Sequence, residues 1–165
     1  MLKFSTHEDI PSLTSEVDGT CQQGAIKCSY DELVDKFGSP ITDCVSDDKS
    51  YAVWFVRFED CTIATICDWK THKSYCGADG SEIEDVTQWS IGGRSRNSAS
   101  HVYDALGISK YSIEEVSEHW RDALGCNYRL LCCGAVLDRY TDHEEAKSQL
   151  ALLKKRESEL IAVSG

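Results

Sequence analysis

Between Ile91 and Ser98 the chain reads Ile-Gly-Gly-Arg-Ser-Arg-Asn-Ser, the set of residues best suited to holding an anion. Gly92 and Gly93 close an apolar run, and a helical pattern opens near Ser98. Backbone amides at such a helix start can hold an anion, the glycines let a ligand come close, and Arg94 and Arg96 add charge and planar donors beside Ser95 and Ser98. A phosphate or nucleotide suits this loop. The same residues also make an ordinary Gly-Gly turn followed by an Asn97 or Ser98 helix cap, and the spacing alone does not separate the two readings.

Nucleophilic catalysis needs a cysteine or serine beside a histidine, and five histidines (His7, His72, His101, His119, His143) accompany nine cysteines. No local signature selects a pair. His143-Glu144-Glu145 lacks the second histidine of a zinc-protease helix, and Cys21 has no nucleophile context. The neighbouring carboxylates Glu114-Glu115 and Asp47-Asp48 point apart on a helix or strand and make poor acid–base partners. No catalytic residue is assigned.

The cysteine count is odd, no basic-then-apolar leader opens the chain, and no window reaches the roughly 20 apolar residues of a membrane span. A reducing, intracellular setting is expected, with the thiols mostly small buried hydrophobes like Cys67. Structural zinc favours pairs separated by two to four residues. Here there is no C-x-x-C, and the closest pair is the vicinal Cys132-Cys133, so neither metal nor cofactor is assigned. The formal charge of -11 argues against a phosphate-backbone binder, which needs a basic stripe. Residues 1–50 are the most acidic part, with ten Asp and Glu against four Lys. That segment could meet a basic protein surface or serve as a solvated face.

The elements that must position these groups are legible in places. Tyr51 to Lys70 alternates as two strands around a turn at Glu59-Asp60-Cys61. Ala52, Trp54, Val56 and Phe58 share one face of the first strand. In the second, Ile63, Thr65, Cys67 and Trp69 oppose Thr62, Ala64, Ile66 and Asp68. Further strands are expected at 24–28, 87–91 and within 128–137. Ser29-x-x-Glu32, Ser112-x-x-Glu115 and Thr141-x-x-Glu144 have capping-box spacing. They predict a helix with Leu33 and Phe37 inward that stops at Gly38, a second with Ile113, Val116, Trp120 and Leu124 together that stops at Gly125, and a carboxy-terminal helix. Another helix is expected over 98–106. Residues 1–23 and 71–86 read as loop. Trp54, Trp69, Trp89 and Trp120 could line a stacking pocket for a base, but Trp54 and Trp69 are expected in the core, because a small sheet has few other large groups to fill it. The fold class is α+β: one domain over 1–165, with an antiparallel sheet of about four strands carrying helices on one face in a core of 24–106, and a mostly helical extension over 107–165.

The set SYDELVDKFGSP, FEDCTIATICDWK and WSIGG resembles a family of small, poorly characterised proteins of tailed phages and large DNA viruses. The shared features are a Tyr-Asp-x-Leu-Val helix ending Phe-Gly, a hairpin reading Glu-Asp-Gly-Thr-x-Ala-Thr-Ile-x-x-Trp-Lys, and a Trp-x-Ile-Gly-Gly strand end. The match spans Gly24 to Leu106, about half of the chain. Cys61 departs from it by standing where the relatives carry a turn glycine, which costs about 1 kcal/mol if the left-handed conformation is kept. The resemblance brings no established activity. It implies a viral accessory protein in the host cytoplasm or nucleus. The expected function is non-enzymatic interference with a host factor, by association with a host protein or by sequestering a small phosphorylated ligand at Gly92, Gly93, Arg94, Ser95, Arg96 and Ser98. The alternatives are a small nucleotide or phosphoester hydrolase and a structural virion protein. Membrane association and direct nucleic-acid binding are not expected.

Overall fold

A computed structural model describes residues 2–42 and 49–164, so the Asp47-Asp48 pair lies outside the described residues. The chain falls into two compact units, one up to Ile108 and one from Ser109.

In the first unit the order is β1 (Phe4–Thr6), a 3-10 segment (Pro11–Val17), β2 (Cys21–Lys27), α1 (Tyr30–Phe37), β3 (Ile41–Thr42), β4 (Ala52–Phe58), β5 (Ile63–Cys67), a short α2 (Lys73–Cys76), β6 (Gln88–Gly93) and α3 (Arg96–Leu106). The sheet is antiparallel throughout, in the order β1-β4-β5-β6-β2. It has six strands rather than about four. β1 and β3 share one edge of β4, opposite Val56–Phe58 and Ala52–Val53 respectively. Two- and three-residue strands carry too little alternation to register as a pattern, which is why 1–23 reads as loop. Residues 71–86, also read as loop, hold α2 and two 3-10 turns at Gly77–Asp79 and Ile83–Asp85.

Register divides this sheet into two unlike faces. Trp54, Ile66 and Ile91 lie side by side across β4, β5 and β6, and all are fully buried. α1 and α3 cover this face. The Ser29 capping box forms as expected, with Glu32 reaching back to the Ser29 amide, and it aims Leu33 and Phe37 inward. Trp54 and Trp89 meet edge to face at 5.3 Å, and their indole N–H groups donate to Gly38 O (2.7 Å) and Cys28 O (3.0 Å). α3 lies close to β6 because Gly93 has no side chain: a Cβ there would run into Ser98. The Ser98 hydroxyl donates to Ile63 O at 2.7 Å.

The opposite face carries Thr65 and Cys67 of β5 with Ser90 and Gly92 of β6, all half-buried. The 3-10 segment packs on β4 and β5 with Leu13 fully buried. Trp69 was expected in the core and is 43% exposed instead. The reason lies in Asp68, whose parity puts its carboxylate on the helix-covered side. There Oδ1 accepts the amides of Tyr51 and Ala52, both at 2.9 Å, and the chain leaves the sheet. Lys70 then takes φ +56 and its amide donates to Lys49 O.

The second unit contains β7 (Tyr111–Glu115), α4 (Glu118–Leu124), β8 (Tyr128–Cys132), β9 (Ala135–Tyr140) and α5 (His143–Ser164). Its three strands form an antiparallel sheet in the order β7-β8-β9, which adds a small sheet to the helical section expected there. Ser112-x-x-Glu115 is a strand, not a capping box. Its residues pair with 128–131 of β8, and Glu114 forms an ion pair with Arg129 opposite. The helix starts after Ser117 and, as expected, stops at Gly125, leaving Trp120 55% exposed. The run over 128–137 is strand, folded at Cys133-Gly134, where both residues have positive φ as in the tightest hairpin turns. At α5 the cap is Asp142, which accepts the Glu145 amide at 2.9 Å, rather than Thr141.

Candidate functional site

The six expected anion-loop residues separate in space. Gly93 and Ser98 are buried between β6 and α3, where they serve close packing. α3 begins at Arg96, two residues earlier than expected, with Ser95 in the cap position and making no side-chain cap bond. The Arg94 guanidinium is committed: it donates to the carbonyls of Glu16 (3.2 Å) and Asp18 (3.1 Å), holding the chain before β2. Arg96 is exposed.

Arg94, Ser95 and Ser98 do line a cavity of about 220 Å³ with the hairpin turn Asp60-Cys61-Thr62. Asp60 is an unfavourable neighbour for an anion there. The Thr62 amide, aided by His101, holds its carboxyl below the usual range, and His101 Nε2 lies 2.8 Å from Oδ2. Cys61 holds a positive φ (+65), the conformation that a glycine adopts without strain.

Gly92 has the opposite parity and opens on the face away from α1 and α3. A Cβ at Gly92 would run into Thr65 Oγ1, so glycine here keeps a channel clear across the strands. A groove of about 270 Å³ runs over it, bordered by Cys21, Gln22, Thr65, Cys67, Ser90 and Trp69. Hydroxyl, amide and thiol groups thus border a floor without side chain, together with the Trp69 indole. The Lys49 and Lys70 ammonium nitrogens lie 5.2 and 5.8 Å from the Trp69 ring centroid, and Lys70 is also 5.5 Å from the ring of Tyr75, which is 46% exposed. Tyr51 and His72 stack beneath this loop at 4.1 Å.

This arrangement can stack a flat ring on an indole and neutralise a small anion beside it. In the sequence core packing is preferred to base stacking for Trp69, and Lys70 and Tyr75 are not singled out, although a signal is present. In the alternation of 62–69, Trp69 shares parity with Thr65 and Cys67, the more polar side, while Asp68 falls among the apolar residues. Nor are the thiols mostly buried. Among the eight described cysteines Cys28, Cys126 and Cys133 are buried, Cys67 is half-buried on the groove, and Cys21 and Cys61 are exposed. Burial pushes the Cys28 thiol up to about 12, with Glu32 adding to the effect, so it is an inert packing group. Among the described residues no group of three or more His, Cys, Asp or Glu side chains is placed to hold a metal ion, and no helix is long and apolar enough to cross a membrane. Compared with family models, curated proteins and solved structures, the chain matches none.

Proposed function

We propose that the protein acts by binding: it is a viral accessory protein that interferes with a host factor by sequestering a small phosphorylated ligand in the groove over Gly92. The viral setting rests on the sequence resemblance. The site rests on one observation, the exposed Trp69 indole, which borders the groove and has the Lys49 and Lys70 ammonium groups 5.2 and 5.8 Å from its ring centroid. A volume of about 270 Å³ lies just below the usual range of ligand pockets and suits a ligand no larger than a nucleoside. The ring rests on Trp69, the phosphate meets the two lysines, and Thr65, Ser90 and Gln22 supply hydrogen bonds to the sugar.

This reading moves the ligand away from Arg94 and Arg96 while keeping Gly92. A calorimetric and thermal-shift screen of nucleotides, cyclic dinucleotides and sugar phosphates tests it. Binding that Trp69→Ala abolishes and the Arg94→Ala/Arg96→Ala pair leaves intact is the expected result. Binding lost in the arginine pair and kept in Trp69→Ala returns the site to the α3 loop. Turnover of a bound compound favours the hydrolase alternative, and silence across the screen leaves association with a host protein.

A further inference from the structure

We infer that the ligand is a dinucleotide unit, two bases joined through one phosphate, with Tyr75 as the platform for the second base. This rests on the binding reading above and adds to it the number of rings recognised. The observation is the position of Lys70: one ammonium lies 5.8 Å from the Trp69 ring and 5.5 Å from the Tyr75 ring, and both rings are nearly half exposed. A cation between two aromatic faces reproduces the order base, phosphate, base. Lys70 lies over both ring faces, so bases that stack there take the place of its ammonium, which turns onto their connecting phosphate.

The loop that carries these groups is built to hold them. Lys70 sits at φ +56, a conformation that non-glycine residues rarely adopt and that concentrates at functional sites. Its amide donates to Lys49 O at 2.7 Å, which ties the two lysines together. Its carbonyl accepts from Cys76 Sγ at 3.1 Å, which fixes α2 and therefore Tyr75 over it. Underneath, the fully buried Asp68 anchors the loop to the amides of Tyr51 and Ala52. The charge of -11 opposes a long polyanion, whereas a ligand with one or two phosphates is held locally by two lysines.

Calorimetry on the full chain with ribose 5-phosphate, adenosine monophosphate and 5′-phosphorylated adenylyl-adenosine tests the inference. The dinucleotide is expected to bind about tenfold more tightly than the mononucleotide, the size of one added stacked base. Tyr75→Ala should erase that advantage without changing the mononucleotide, and Trp69→Ala should weaken both. Lys70→Gln should weaken the dinucleotide more than the mononucleotide. All three side chains are at the surface, and an unchanged melting temperature confirms that the variants fold. Equal affinities for the two nucleotides, or a dinucleotide indifferent to Tyr75→Ala, overturns the dinucleotide assignment while Trp69-dependent mononucleotide binding leaves the groove reading standing. If neither nucleotide binds and a Glu-rich peptide does, in a manner lost in Lys70→Gln, both give way to an acidic protein partner.

Discussion

The two faces of the six-stranded sheet come from the same strands and have opposite fates. On one, Trp54 and Trp89 interlock beneath α1 and α3 with no exposure. On the other, Trp69 stands 43% exposed beside a groove. Trp54 and Trp69 belong to one hairpin, so neither residue type nor proximity in the chain separates them. What separates them is parity relative to the helices, and with it whether an indole fills a core or offers a surface.

That contrast can be broken or sharpened by substitution. Trp54→Ala should have the largest effect, a loss of about 3–5 kcal/mol by denaturant titration, because it empties a fully buried site and removes the bond to Gly38 O. An unaltered midpoint would remove the core assignment. Next comes Asp68→Asn, in which an amide replaces the carboxyl group that accepts two backbone N–H groups. The expected cost is about 1–3 kcal/mol, together with faster hydrogen exchange at Tyr51 and Ala52.

Ser29→Ala should cost about 1 kcal/mol by removing the α1 cap. It should also flatten the acid limb of the stability curve. The Ser29 amide and hydroxyl hold the Glu32 carboxyl below its usual range. A lowered folded value contributes stability that is present above the ordinary Glu value of about 4.3 and is lost as pH falls through the folded one. Melting temperatures across that acid range, in parent and variant, check the sign. A gain is expected from Cys61→Gly, up to about 1 kcal/mol, since the φ of +65 is then unstrained. The smallest change in stability belongs to Trp69→Ala, within about 0.5 kcal/mol for a surface site, with ligand binding lost. A large destabilisation there would place Trp69 back in the core.

Much of the first unit was legible because its signals are local. The hairpin over 51–70, the Ser29 box, the Gly38 stop and the strand leading to Gly92-Gly93 each depend on neighbours within a few residues. The candidate site was legible at Gly92, which borders the groove rather than the arginine loop, and at Trp69 only as the less favoured alternative to core packing. Arg94 had the right chemistry, but the carbonyls that engage it belong to Glu16 and Asp18, far away in sequence.

By itself, then, the order of residues determined the α+β class, the alternation of β4 and β5 and the capped start of α1, all of which follow from backbone periodicity and short-range hydrogen bonding. Tertiary structure decided the rest. Ser112-x-x-Glu115 has the spacing of a helix start, yet the ladder to β8 and the Glu114–Arg129 ion pair make it a strand, since pairing with a distant segment satisfies more backbone groups than a four-residue box can. Which side of the sheet the helices cover was decided in the same way, by contacts such as Ser98 on Gly93, and that choice turned Trp54 into core and left Trp69 at the surface.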